Sequence, residues 1–262
     1  MESFSIEGEP VLRPAPKDNG SVLTAACFPL VPIVNRIPSG HFIFDGRAIR
    51  LTPNEEGHPN FLHGHGWQAP WHTVEKTSAM ARLRYDHEAA EWPWTYRAEQ
   101  QITVTNDGCH FELSVQNQDR RVMPAGLGLH PYFSKTARTH LSFDADGYWA
   151  TDEKLRPLKA VDGLFRKHWG KGDDLIDPKT IDTSFFGFKG QATITEPGKP
   201  TIHLTASSMC RNVHLYCPAG EDFFCVEPVT DRADPFSEDP LRIKQLMPGE
   251  THTIWMEISV AR

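Results

Sequence analysis

The sequence predicts an all-β fold, a large antiparallel β-sandwich built as one domain over residues 1–262. Three observations predict it. Short segments alternate apolar and polar residues with period two, turn residues join them, and no window carries an apolar helical stripe over three turns. Proline, at 21 residues, is also hard to house inside helices.

The elements follow in order. HFIFDGRAIRL (41–51) reads as strand, Asp45-Gly46 turn, strand, because Asp-Gly supplies the positive φ angles of a two-residue hairpin. ARLRYDHE (81–88) alternates as a half-buried strand does. TVTNDGCHFELSVQN (103–117) repeats the hairpin device, with Val104, Phe111, Leu113 and Val115 as the apolar alternates. Residues 152–180 are polar and irregular, and read as a long insertion between strands. QATITEPGKPTIHLTAS (191–207) sets Ala192 and Ile194 against Ile202 and Leu204 across a Pro-Gly turn. NVHLYCP (212–218), FFCVEP (223–228) and TIWMEISVA (253–261) complete the strands, and DPLRIKQL (239–246) is expected to hold a helical turn.

Composition excludes several function classes. With 39% hydrophobic and 23% charged residues the chain is globular, and its length supports a core without disulfide or metal. No apolar run approaches the roughly 20 residues of a membrane helix. The acidic start MESFSIEGEP lacks the basic and apolar regions of a signal peptide, so a cytoplasmic location is expected. A net charge of −7 with no basic cluster speaks against nucleic acid. The five cysteines, Cys27, Cys109, Cys210, Cys217 and Cys225, are odd in number without C-x-x-C spacing and read as reduced, mostly buried thiols. Neither G-x-G-x-x-G nor a phosphate-binding loop is found.

Three segments place polar residues among apolar or glycine-rich neighbours. In NFLHGHGW (60–67), His63 and His65 would share one face of a strand, which invites a metal. The Glu that a cupin places three or four residues later is replaced by Gln68 and Ala69. The alternatives are histidines satisfying turn carbonyls, or a ligand pocket that Gly64 and Gly66 open to the backbone. In AGLGLHPYF (125–133), His130 follows a strand-like run; it is either a hydrogen-bonded core residue or a proton-transfer group. In FFCVEPVTDRADPF (223–236), Glu227 ends an apolar run, where a carboxylate is costly unless it is paired or faces a pocket.

Together VNRIPSGHFIFDG (34–46), NFLHGHGW (60–67), GLHPYF (128–133), IDTSFFG (181–187) and FCVEPVTDRADPF (224–236) resemble the successive signature blocks of the aldose 1-epimerases, the galactose mutarotases. The resemblance spans roughly residues 20–255. It implies a galactose mutarotase-like supersandwich with a sugar cleft, and interconversion of α and β anomers of a free hexose without cofactor or metal. It implies Glu227 as general base, ionised, and His130 as general acid, protonated, on opposite sides of the anomeric centre. Asn35, Arg36, His63 and Asp182 would bind the sugar, and Trp67 is added as a stacking platform. The expected partner is a small-molecule sugar, bound by a monomer or homodimer.

Many galactose-specific members read His-Gly-Gly where this chain reads His63-Gly64-His65, so galactose itself is not implied. Within the same fold, a charged sugar (a hexose 6-phosphate or sulfonated hexose) would require a basic cluster from Arg82, Arg84, Arg97 or Arg211. A non-catalytic carbohydrate-binding protein would rely instead on Trp67, Trp71, Trp92 and Trp94.

Overall fold

Alternating segments pair into two large antiparallel sheets in the computed structural model, which describes residues 1–17, 20–163, 169–237 and 241–261. The nine-stranded sheet runs in the order Asp173–Asp174, His140–Phe143, Gln191–Thr195, Thr201–Ala206, Thr251–Ala261, Gly108–Asn117, Tyr96–Val104, Met80–His87, His72–Lys76. The seven-stranded sheet runs Pro157–Asp162, Gly147–Thr151, Ile181–Phe186, Asn212–Cys217, Phe223–Val229, Gly128–Ser134, Cys27–Leu30.

The sheets differ in how their outer faces are used. In Thr251–Ala261, His252, Ile254, Met256 and Ile258 are buried while Thr251, Thr253, Trp255 and Glu257 are exposed. That is an antiparallel sheet with one wet face. On the seven-stranded sheet, Gly128–Ser134 and Phe223–Val229 are buried along almost their whole length. One face, with Phe133, Val213, Leu215, Phe224 and Val226, joins Leu113, Val115, Ile254 and Met256 of the other sheet in the main core. Each such side chain contributes about 1.5–3 kcal/mol. The opposite face holds a smaller cluster of Phe28, Leu30, Leu62, Trp67, Tyr132 and Cys225. Functional side chains sit beside this second cluster.

The 41–51 hairpin forms with Asp45 and Gly46 both at positive φ (50° and 68°). The 191–207 hairpin pairs Ala192 with Leu204 and Ile194 with Ile202. The turn after Val104 departs from expectation: Gly108 starts the next strand and is absent from the positive-φ glycines. Its value is close approach, since a Cβ there would lie 2.7 Å from the Ile258 carbonyl oxygen.

Two other expectations are corrected. Lys244–Leu246 is a strand paired with Met123–Ala125, not a helical turn; residues 239–240 of that segment lie outside the described residues. The 152–180 region contains Pro157–Asp162 at an edge of the seven-stranded sheet and Asp173–Asp174 at an edge of the nine-stranded one. An exposed edge strand needs little apolar alternation, and Pro157–Asp162 shows none.

All five cysteines are free and buried. Among the described residues no helix is long and apolar enough to cross a membrane.

Candidate active site

Strand register builds the site. Phe28 pairs with His130, Glu227 with His214, and His214 with Ser184. Gly128↔Val229 and Tyr132↔Cys225 set His130 across from Glu227. A single row therefore crosses five strands: Phe28, His130, Glu227, His214, Ser184. The row lies on the face turned away from the main core, because Val213, Leu215 and Val226, one residue removed, point into that core. Asp182 lies two residues before Ser184 on the same face.

Two tight turns bring the remaining groups. Asn35 and His63 both adopt left-handed backbone (φ 52° and 57°), and the His63 amide donates to the Asn35 carbonyl at 2.7 Å. Gly64 follows at φ 74°, where a Cβ would meet the Val31 carbonyl oxygen at 2.3 Å, so only glycine lets this turn seat His63. Arg36 lies in a two-stranded ladder opposite Leu62.

These residues line a cavity of about 260 Å³. Its floor is the His130–Glu227 contact, Nε2 to Oε1 at 3.3 Å, with both side chains almost fully buried. Arg36 Nη2 donates to both Asp182 carboxylate oxygens at 2.8 Å, and its Nε donates to Asn35 Oδ1 at 2.8 Å. His214 Nε2 lies 3.0 Å from Asp182 Oδ1. Leu23, Leu62, Tyr132, Tyr216 and Phe223 form an apolar collar. Glu227 Oε2, His130 Nδ1 and His63 Nδ1 are buried without a hydrogen-bond partner among the described residues. Such orphan groups are costly and mark sites that a ligand completes.

Burial acts against the charge state that the resemblance implies. Burial raises the Glu227 carboxyl well above its ordinary value, and the nearby Asp182 charge adds to this. Burial pushes His130 well below its ordinary value, with His63 and His214 in the same direction. Both shifts favour a neutral carboxyl beside a neutral imidazole, one proton for the pair, over an ionised base beside a protonated acid. Adjacent strands place the two groups side by side. Burial also lowers His63, to about 3. For Asp182, burial alone would raise the carboxyl, but the His214 hydrogen bond and charge, then Arg36, hold it well below the ordinary range.

Histidine burial has a consequence for stability. Burial lowers His63, His65, His87, His130 and His252, with His65 at about 4. The folded state then binds fewer protons than the unfolded chain, whose histidines titrate near ~6.5. Stability is complete above that value and lost as pH falls through it towards the folded values. We expect Tm to drop continuously from pH 7.5 to 5 in calorimetric scans; a level Tm across that range would contradict this account.

Asn35, Arg36, His63, His130, Asp182 and Glu227 come together in the cavity. Trp67 does not. It is 4% exposed, donates Nε1–H to the Leu62 carbonyl and packs edge-on to His63. It lines a different, larger cavity with Trp71, Leu83 and Gln100. It backs His63 and offers no stacking face to this cavity. His65 also parts from His63: the left-handed turn directs it to stack on His87, 4.8 Å between centroids, so the two do not share a face.

Of the arginines proposed for a charged sugar, Arg82, Arg84 and Arg97 pair with Glu75, Glu99 and Asp86 on the nine-stranded sheet. Arg211 lines another cavity beside Trp149. His58, Ser184 and His214 were missed. Strand alternation in NVHLYC was the available signal for His214, since it sets Asn212, His214 and Tyr216 opposite the core-facing Val213, Leu215 and Cys217.

Known proteins agree with this architecture. The family description "Aldose 1-epimerase" matches residues 1–259. An uncharacterised Escherichia coli K12 protein, YphB, is 32% identical over 99% of this chain and 92% of its own length. A crystal structure of a candidate aldose 1-epimerase from Escherichia coli K12 superposes with TM-score 0.91 at 30% identity, covering 99% of this chain and 91% of that one. The galactose 1-epimerase of Lactobacillus acidophilus NCFM shares the fold, with TM-score 0.80 at 15% identity over 100% of this chain and 89% of its own. A match along nearly the whole chain, on a two-sheet scaffold that gathers the signature residues into one cavity, makes this protein a member of the aldose 1-epimerase family, a family of isomerases.

Proposed function

We propose that the protein interconverts the α and β anomers of a free, uncharged hexose, with Glu227 and His130 as the proton-transfer pair. The observation that carries this reading is their 3.3 Å contact at the floor of a sugar-sized cavity, with Glu227 Oε2 left without a partner among the described residues. Sugar hydroxyls donating to Oε2 replace the missing solvation of the carboxylate and let the shared proton move to His130. Glu227 then takes the O1 proton as His130 gives one to O5. The C1–O5 bond breaks, O1 becomes the aldehyde oxygen, and rotation about C1–C2 precedes closure with both transfers reversed. No proton is gained or lost overall, and each positioned group supplies typically ~10²–10⁴-fold. Arg36, Asn35 and Asp182 hold hydroxyls, while neutral His63 faces the ring.

An uncharged sugar is favoured because the only arginine lining the cavity, Arg36, is already neutralised by Asp182, and no lysine lines it among the described residues. An anionic substituent would enter without a counter-charge. NMR exchange on glucose, galactose, a hexose 6-phosphate and a 6-sulfonated hexose tests this. Faster exchange of a neutral hexose is expected; preference for either anionic sugar would refute the choice of substrate.

A further inference from the structure

His214 and Ser184 complete the row across the sheet, yet neither takes part in the proton transfers above. Both are buried, and their contacts form a directed chain. The Ala233 amide donates towards Ser184 Oγ at 3.5 Å, and Ser184 Oγ lies 2.9 Å from His214 Nδ1, so this hydroxyl holds the imidazole from its far side. An ionised Asp182 can only accept, so His214 Nε2, which faces Asp182 Oδ1 at 3.0 Å, carries a proton. Arg36 completes the hold on Asp182, and its own carbonyl accepts from the Asp234 amide at 2.9 Å. The 231–234 loop thus anchors both arms that grip this carboxylate.

Lone-pair counting shows what the second arm adds. A carboxylate has about four acceptor positions. Arg36 Nη2 occupies one on each oxygen, and His214 occupies the second on Oδ1. The remaining position is on Oδ2.

We propose that His214, oriented by Ser184, is a positioning residue that saturates Asp182 Oδ1 and thereby commits Asp182 Oδ2 to accepting a sugar hydroxyl. The inference rests on the anomer-exchange reading above. Because the Asp182 contact exists in ground and transition states alike, its loss acts on KM rather than kcat. His214→Phe should raise KM about tenfold or more at pH 7, with kcat within about threefold of wild type. His214→Gln, which can return an N–H near the Nε2 position, should recover most of that loss. Ser184→Ala should raise KM by a smaller factor in the same direction.

A pH readout separates positioning from mere packing. His214 is a principal cause of the low Asp182 pKa, so in His214→Phe this carboxyl takes up its proton at higher pH. The ratio of variant to wild-type KM should therefore grow as pH falls below about 6. Arg36, His63, His130, Glu227 and Tyr216 face Asp182 in both proteins and their titrations enter numerator and denominator alike.

The experiment measures anomer exchange by NMR for wild type and the three variants between pH 5 and 8, with folding checked by circular dichroism. A wild type that does not accelerate exchange overturns the anomer-exchange reading itself. A wild type that does, beside a folded His214→Phe of unchanged KM or a pH-independent KM ratio, overturns the positioning role alone. Should His214→Phe not fold, an unchanged KM in both His214→Gln and Ser184→Ala at every pH overturns it equally.

Discussion

Glu227→Gln is expected to lose on the order of 10²–10⁴-fold in kcat while the protein still folds and binds sugar. The amide keeps the shape of the side chain and removes the basic oxygen that receives the O1 proton. Buried beside His130, the wild-type carboxyl already favours its neutral form, so an equally neutral amide costs the fold little. The pH dependence carries the finer test. His130, depressed by burial, accepts a second proton for the pair only well below ~6.5, and that uptake sets the acid limb of kcat/KM. Glu227, raised by burial, releases the shared proton only well above ~4.3, which sets the alkaline limb. These limbs belong to the pair rather than to either residue alone. The Gln variant should lose the alkaline limb together with its turnover. Turnover within tenfold of wild type would remove Glu227 from the chemistry.

Arg36→Met is expected to destabilise the fold by about 3–5 kcal/mol, because it strands the buried Asp182 carboxylate. The pair is well enclosed, with side-chain exposures of 10% and 15%, so solvent cannot take over the role of the guanidinium. His214 alone would remain to hold the charge. The double variant Arg36→Met/Asp182→Leu should recover much of that stability, since removing both charges removes the desolvation cost with them. Neither variant should bind sugar well. Acid exposes the same pair in wild type: the depressed Asp182 value contributes stability above its unfolded value near ~3.9, lost as pH falls towards the folded value. Urea unfolding of the three proteins decides the matter. A single-variant cost below 1 kcal/mol would show the ion pair to be as inconsequential as a surface one.

Sequence by itself determined the class of fold and most strand positions, and it singled out six residues that the structure gathers around one cavity. Period-two alternation reports which segments are half-buried strands because each strand alternates its side chains between two faces. Asp45-Gly46 announces its turn because few residue pairs tolerate consecutive positive φ angles. Asn35, Arg36, His63, His130, Asp182 and Glu227 were legible through resemblance to known signature blocks, and all six line one cavity.

Tertiary structure decided what register and burial control. Whether His130 and Glu227 touch depends on pairing two strands separated by almost a hundred residues, which local pattern does not encode. Which tryptophan meets a sugar depends on where its neighbours bury it, and Trp67 ends behind His63. His63 and His65 looked like a matched pair only on the assumption of a strand; left-handed backbone at His63 and Gly64 sends them to different clusters. His214 lies in no signature block and Ser184 is only a neighbour of Asp182 within one, and both join the site because the sheet sets them in line with Glu227. The resemblance implies an ionised Glu227 and a protonated His130, and desolvation, which exists only after folding, acts against both charged forms.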